Sequence, residues 1–463
     1  MTAKLIANIQ VKKLFGLYTY SIPDGSDLSN AAILYGDNGV GKSTLLRLVF
    51  HLLSAASNRG HRTALYKAQF EHLEVALSSG VKLTARVQEP GPDKLLLLEV
   101  SVQGKKVAVW DYRPRDDGRF LEEDAVFIEV DERGRHVIRR RTVGGRKKEL
   151  EGVPRGERAY LEALKSHVPS LFILNADRRL DSDSVADPSD EVELRRTMQF
   201  GEPKRINELV VRSREIALSQ ALSSAARWIS RKAVQGTNRG SMNVHSVYGD
   251  VLKRLVSRGR IGSASDESRV PIPELLHQLS AIDSKSEEHA RYELATHLPT
   301  NDFRKALGGR ATTKTELAAE LIQPYVKSVE GRLAAVEPIY QLIDRFVKIV
   351  NGLLTDKSID FKLSQGFTIQ NKLRVPLVPA QLSSGEQQLL LLFCYVLTAR
   401  DTPTIFMIDE PEISLNIKWQ RQLVQSLLDI TEGASIQFVF ASHSMELLAQ
   451  HRNRVVKLVN KQQ

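Results

Sequence analysis

With 463 residues and a net charge of +10, the chain is long enough for two or three domains around a large buried core. Its single cysteine, Cys394, excludes an internal disulfide and a thiolate-rich zinc site. No run reaches the roughly 20 apolar residues that a membrane helix needs, and Met1-Thr2-Ala3-Lys4-Leu5 lacks the apolar stretch of a signal peptide; a cytoplasmic protein without membrane contact is expected.

Leu5 to Ile22 reads as two strands about Leu14-Phe15-Gly16-Leu17. Ala31 to Tyr35 is a short apolar strand that runs into Gly36-Asp37-Asn38-Gly39-Val40-Gly41-Lys42-Ser43, followed by Thr44. This fits G-x-x-x-x-G-K-[ST], with a strand before it and an apolar helix (Leu45, Leu46, Leu48, Val49, Leu52) after it. Glycines let backbone N–H groups wrap a phosphate, and the helix N-terminus adds a favourable dipole. Lys42 is placed for the β and γ phosphates, and Ser43 for Mg²⁺, a hard ion that prefers oxygen. The candidate nucleotide contacts here are Gly36, Asn38, Gly39, Gly41, Lys42, Ser43 and Thr44.

Ser54 to Arg62 reads as a polar loop. Leu73 to Leu77, Val81 to Val87, Leu95 to Val102 and Lys106 to Trp110 alternate like antiparallel strands. Arg133 to Lys148 is basic, with Arg139, Arg140, Arg141, Lys147 and Lys148 among its cations and no acid. It reads either as a solvated hairpin or as a surface for DNA or an acidic protein. No aromatic residue is interleaved, which argues against stacking on single strands. Ser170 to Leu174 is another buried strand. Asp181 to Asp190, with Ser and Pro188, reads as a boundary and not as a rigid metal site.

From Glu191 to Leu354 the pattern is mostly helical: Ile206, Leu209, Val210, Ile216, Leu222 and Ile229 first, then Ile339 to Leu353. Gly236 to Ser241 and Gly262 to Ser268 are expected to break it, and Pro324, Gly331, Pro338 and Gly352 to interrupt the later helices. Asp360 to Ile369 resembles a strand pair. Leu382-Ser383-Ser384-Gly385-Glu386 opens an apolar helix. Thr404 to Ile408 is a buried strand ending in Asp409-Glu410, then Ile413-Ser414-Leu415-Asn416 follows. Gln437 to Phe440 is a strand delivering Ala441-Ser442-His443.

The order of these motifs resembles the phosphate loop, signature, Walker B, D-loop and switch histidine of the ABC ATPase superfamily. The long interval between Lys42 and Ser383 resembles its SMC, RecF and OLD branch. The implied fold is an α/β ABC ATPase head, a P-loop core with an antiparallel β lobe and a helical insertion. The expected division is 1–180 and 356–463 for the two halves of the head and 181–355 for the insertion. Leu14-Phe15-Gly16, the Gly36 to Gly39 loop, Asp409-Glu410-Pro411-Glu412 with Ser414-Leu415, and Ala441-Ser442-His443 are similar to compact ATPases of bacterial anti-phage defence. Among these the AriA ATPase of PARIS systems leads and the PtuA ATPase of Septu follows. OLD nucleases carry a TOPRIM domain after the switch histidine; the segment after His443 is too short for one, so the resemblance points to an effector on a separate chain.

That resemblance implies ATP and Mg²⁺ as cofactors. It implies that ATP is sandwiched between protomers, with Gly36 to Thr44, Asp409, Glu410 and His443 from one and Ser383, Ser384 and Gly385 from the other. Asp409 holds Mg²⁺ with Ser43, Glu410 orients or deprotonates the attacking water, and His443 contacts the γ-phosphate. Ser384 stands where the family prefers Gly. No glutamine follows Leu174, so the Q-loop residue stays unassigned. Phe15, Tyr18 and Tyr20 are candidates to stack on adenine, although aromatic residues in strands are more often core. The implied partners are further copies of the chain in ATP-sandwich dimers, with a hexamer left open, and a nuclease chain of TOPRIM or HNH type. A phage trigger protein that mimics DNA is also implied, and DNA itself stays open. A RecF-like repair ATPase is the alternative; a transporter ATPase is disfavoured by the insertion.

Overall fold

Alternation of apolar residues between Ile6 and Tyr112 builds one antiparallel sheet, and continuous apolar runs elsewhere build a parallel one. The computed structural model describes residues 4–23, 28–57, 59–88, 94–114, 126–130, 136–140, 155–175, 180–182, 203–241, 249, 270–308, 312–413 and 415–461. The strands in chain order are β1 (Ile6–Leu14), β2 (Tyr18–Ile22), β3 (Ala31–Tyr35), β4 (His72–Leu77), β5 (Val81–Gln88), β6 (Leu95–Val102), β7 (Lys105–Tyr112), β8 (Val126–Val130), β9 (His136–Arg140), β10 (Ser170–Leu174), β11 (Leu180–Ser182), β12 (Lys357–Lys362), β13 (Gly366–Asn371), β14 (Pro376–Leu377), β15 (Thr404–Asp409), β16 (Ile436–Ala441) and β17 (Val455–Lys457).

The first sheet has six strands in the order β2-β1-β4-β5-β6-β7, all antiparallel. Leu73, Val75 and Leu77 on β4 and Leu96, Leu98 and Val100 on β6 turn one face inward, the period-two burial of a sheet covered on one side. The second sheet has the order β11-β10-β15-β16-β3-β17 and is parallel except at the β10–β11 pair. Every residue of β15 and β16 is buried, as expected of strands covered on both faces. The register pairs Asp409 with Ala441 and Ala441 with Leu34, so β3, β15 and β16 end together at one edge of the sheet. Ligands of parallel α/β sheets bind outside such carboxyl ends.

Gln437 joins the two sheets. Its Nε2 donates to the carbonyls of Ile6 (3.2 Å) and Ser29 (2.9 Å), and its Oε1 accepts the N–H of Leu5 (3.0 Å) and Ile6 (2.6 Å). A buried amide with all these partners costs little and fixes the start of β1 against β16 of the other sheet.

The chain divides into two compact units, residues 1–200 with 399–463, and residues 201–398. The first holds both large sheets, α1 (Lys42–Leu53), α2 (His61–Lys67) and α3 (Glu157–His167). The second is mainly helical, with the three-stranded sheet β12-β13-β14. There Leu275, Leu279 and Ile282 pack with Val326, Val329 and Leu333.

Three sequence expectations are corrected. Pro324, Gly331, Pro338 and Gly352 do not interrupt the helix; Thr313–Leu353 is a single helix of 41 residues. A proline inside a helix costs about 3 kcal/mol, and here burial of Val326, Val329, Leu333, Ile343, Phe346 and Val350 along the same helix opposes that cost. Gly236 is not a break either, since helix Pro203–Ser241 runs through it. A Cβ there would lie 2.8 Å from the Ala335 carbonyl oxygen, so the glycine permits close approach of two long helices. Ile216 is exposed, and the buried stripe of that helix is Leu218, Ala221, Ala225 and Ile229. The polar loop expected to reach Arg62 ends earlier, because α2 begins at His61 and buries His61, Arg62 and Leu65. The Gly262 to Ser268 stretch, Ser414 and the Asp183 to Asp190 segment lie outside the described residues. Of the basic run, only the backbone of 136–140 is described, as β9 paired antiparallel with β8. Among the described residues, no helix is long and apolar enough to cross a membrane.

Candidate nucleotide site

α1 starts directly after Gly41, whose φ of 89° suits glycine and strains other residues. A Cβ at Gly41 would lie 2.8 Å from Leu14 Cδ2 and 3.0 Å from Phe15 Cε2, so the β1–β2 turn presses on the loop. Gly39, with a φ of 87°, has nothing within 4 Å of its Cβ position. No side chain caps the start of α1, which leaves its first-turn N–H groups for an anion. Lys42 is buried and curls over the loop, donating from Nζ to the carbonyls of Gly36 (2.8 Å) and Asp37 (3.0 Å). Tyr20 braces the same loop by donating its hydroxyl to the Val40 carbonyl at 2.9 Å, and it stacks with Tyr18. Burial, helped by Tyr18, pushes the Tyr20 phenol up to about 12. Tyr20 is therefore a core residue; Tyr18 is half-buried and Phe15 is exposed, 37% accessible.

Asp409 ends β15 with a fully buried side chain. Neither carboxylate oxygen has a hydrogen-bond partner among the described residues. Burial raises its pKa; the Ser43 hydroxyl and the Arg47 guanidinium oppose the rise, and Glu410 and Glu412 add to it. Arg47 Nη2 lies 3.6 Å from Oδ2. A fully buried carboxylate beside the hydroxyl of Ser43 is an oxygen set that suits a hard divalent cation such as Mg²⁺. The bare helix start, the glycine loop and Lys42 suit the phosphates. The residues present fit a Mg²⁺-nucleotide.

Glu410 has a φ of 46°, a left-handed conformation that is uncommon outside glycine. Its carboxylate is part-exposed, with Oε1 at 3.6 Å from His443 Nδ1. The sheet thus brings together Gly36 to Thr44, Asp409, Glu410 and His443. Two residues that the sequence reading did not assign stand with them. Arg47, one turn into α1, reaches Asp409; its spacing of five from Lys42 is a signal only once α1 is known to lie beside β15. Glu412 is buried and accepts hydrogen bonds from the His443 loop. It was visible as the acid two residues after Glu410, but its burial was not.

Ser383, Ser384 and Gly385 belong to the second unit, where they open helix Ser384–Thr398. Ser383 caps it: Glu386 N–H donates to Ser383 Oγ (3.3 Å) and Ser383 N–H donates to Glu386 Oε2 (2.7 Å). Lys357 Nζ donates to both Glu386 oxygens, at 3.0 and 2.9 Å. Burial alone would raise Glu386, but Lys357 and the Ser383 hydrogen bonds hold it below the usual carboxylate range. Cys394 is buried in this helix, and burial pushes its thiol well up, as suits a small apolar side chain and not a reactive one.

Residues 248–449 match the family model described as "AAA domain, putative AbiEii toxin, Type IV TA system". The molybdenum import ATP-binding protein ModC of Escherichia coli strain K12 is 34% identical over 85 residues, 18% of this chain and 23% of that protein. ModC of Shigella flexneri matches to the same extent. The chain thus spans about a quarter of the length of these relatives. The Smc head domain of Pyrococcus furiosus, solved with an extended coiled coil and the C-terminal domain of ScpA, is 14% identical with a TM-score of 0.35, covering 98% of this chain and 96% of that one. The Smc head of Pyrococcus yayanosii is 13% identical with a TM-score of 0.34, covering 99% and 97%. Residues 248–449 are thus similar to an AAA-type domain, and a short stretch of the chain is similar to an ATP-binding protein.

Proposed function

We propose that this chain is a cytoplasmic ATP-binding and ATP-hydrolysing sensor of a bacterial anti-phage defence system. It assembles through ATP sites shared between protomers and controls a separate nuclease chain. The observation that carries the ATPase part is the buried carboxylate of Asp409, flanked by the Ser43 hydroxyl and the Arg47 guanidinium, with Glu410 and His443 at the same sheet edge. The defence part is supported by the Asp409-Glu410-Pro411-Glu412 box and the Ala441-Ser442-His443 string in their resemblance to AriA and PtuA ATPases.

In this reading Gly36 to Thr44 bind the phosphates, and Lys42 leaves its own loop carbonyls for the β and γ oxygens. Ser43 and Asp409 hold Mg²⁺, which when bound offsets the negative charge of the phosphates. Glu410 orients or deprotonates water, and His443 senses the γ-phosphate. Ser383, Ser384 and Gly385 of a second copy complete the site. Proteins built this way act as gates, where bound nucleotide fixes an assembly and a trigger changes it.

The experiment is to express the chain alone and with its genomic neighbour, challenge both with phage, and assay the purified protein. Slow ATP hydrolysis, no cutting of plasmid or tRNA with Mg²⁺ or Mn²⁺, and protection only with the second gene are expected. Metal-dependent cleavage by the lone chain, retained in Glu410→Gln, would make it the effector. Tight, ATP-dependent binding of duplex DNA with no role in protection would favour the RecF-like alternative.

A further inference from the structure

Glu412 lies outside the residues that the nucleotide motifs assign, yet the His443 loop is built around it. Its Oε1 accepts the Ser442 hydroxyl at 2.7 Å, the His443 N–H at 2.9 Å and the Ser444 N–H at 3.1 Å. The same oxygen lies 3.3 Å from His443 Nδ1, and Glu410 Oε1 lies 3.6 Å from that nitrogen. The other oxygen, Oε2, is buried with no hydrogen-bond partner among the described residues. That is a costly arrangement for a group whose only work is packing.

The turn after β15 and the loop after β16 are joined a second time. Gln420 Nε2 donates to the carbonyls of Leu415 (2.9 Å) and Glu412 (3.4 Å), and Ser444 Oγ donates to Gln420 Oε1 at 2.8 Å. Ser444 also caps the next helix, Met445–Gln450. Residues 442 to 444 are therefore held at each position by a group from the Glu410 side.

We infer that Glu412 is a positioning residue for ATP hydrolysis, fixing the Ser442 to Ser444 loop so that His443 stands beside Glu410. The inference rests on the reading of this site as an ATPase site, and not on the defence role. A carboxylate suits the task because one charged oxygen accepts several donors strongly.

Glu412→Ala should lower kcat about 100-fold, the scale of a small misplacement of a reacting group, and leave KM for ATP within about twofold. KM holds because the nucleotide is bound by Gly36 to Thr44. Glu412→Gln keeps an acceptor oxygen and should recover most of the loss. Added to His443→Ala, Glu412→Ala should cost no further kcat, since residues that act as a unit are not additive. Independently of turnover, the His443 Cε1–H NMR line should shift or broaden in Glu412→Ala and return in Glu412→Gln. Thermal unfolding identifies variants that do not fold; should Glu412→Ala be one, Ser442→Ala, which removes a single donor, takes its place in every comparison. An equal kcat loss with and without His443, a rise in KM with kcat intact, or an unmoved His443 line overturns the inference. If Glu410→Gln hydrolyses ATP at the wild-type rate, the ATPase reading of the site fails instead.

Discussion

The backbone N–H of Glu410 donates to the carbonyl of Ala441 at 2.8 Å, extending the β15–β16 register one residue past the end of the strand. The residue that makes this bond is left-handed, at φ 46°, and the turn is closed by Ile413 N–H donating to the Glu410 carbonyl at 3.1 Å. Glutamate is held in a backbone that glycine would prefer, which costs of order 1–3 kcal/mol. Strain of this kind, found at the residue proposed to activate water, leads to a paired expectation. Glu410→Gln should bind ATP and lose at least about 100-fold in turnover. Glu410→Gly should lose turnover equally but raise the thermal midpoint. Turnover is read by phosphate release and stability by calorimetry; a lower midpoint for Glu410→Gly would remove the strain argument.

Gly41 and Gly39 share a left-handed backbone but differ in space. Gly39→Ala meets no atom within 4 Å, so its cost should be conformational alone, about 1 kcal/mol. Gly41→Ala drives a methyl into Leu14 and Phe15, and should cost more than that and weaken ATP binding, because the start of α1 must move. Denaturant unfolding and binding of a non-hydrolysable ATP analogue separate the two. Equal effects would show that the β1–β2 turn does not hold the loop.

Much of the first unit was legible because its strands are buried on both faces or alternate cleanly. Thr404 to Ile408 and Gln437 to Phe440 read as strands because their runs are apolar, and the observed strands, Thr404–Asp409 and Ile436–Ala441, extend them by one or two residues. The turn from Gly36 to Gly41 was legible because its glycines precede an apolar helix, and α1 does start at Lys42. The helical unit was harder. Pro324 and Pro338 argue locally for a break, and only the packing of residues distant in sequence against Thr313–Leu353 overrides that preference. Gly236 looks like a turn residue until the Ala335 carbonyl is seen above it. Arg47 and Glu412 carry ordinary letters for an exposed helix and an acidic box. Their proximity to Asp409 and His443 exists only once β15, β16 and α1 are assembled.

Away from the candidate nucleotide site, His51 and His61 face each other with Nδ1 atoms 2.9 Å apart. Burial, with Arg62 and Arg47 adding to it, depresses His51 to about 4. Burial, with His51, Arg62 and Arg59 adding to it, depresses His61 to about 3. Both are neutral in the fold at pH 7 and stay so well below the usual histidine value. The unfolded chain takes up these protons as pH falls below about 6.5, and the folded chain does not. Stability is therefore full above that value and lost as pH falls toward 4 and 3, at up to about 1.4 kcal/mol per pH unit for each histidine. Urea unfolding at pH 7.5 and 5 should show this slope, and His61→Gln should flatten it relative to the wild type. An unchanged slope in the variant would assign the acid sensitivity to other groups.

The last expectation concerns assembly. In the proposed arrangement Lys42 and Ser383 of one chain serve different ATP molecules, so defects in them should complement between chains. Lys42→Ala removes the cation for the phosphates, and Ser383→Arg removes the signature hydroxyl. Each variant alone should be inactive. A mixed dimer pairs the two damaged halves in one site and the two intact halves in the other. With equal amounts and random pairing, about half the dimers are mixed and each keeps one of two sites, so about a quarter of the wild-type rate should return. Ser383 also caps its helix through Glu386, so its loss costs about 1 kcal/mol of stability, and Ser383→Arg must first be shown to be folded. Mixed dimers are confirmed by co-purification on two different affinity tags before phosphate release is measured. Mixed dimers with no recovered turnover at any ratio would mean that each chain completes its own site, and the gate proposed here would then need a different means of assembly.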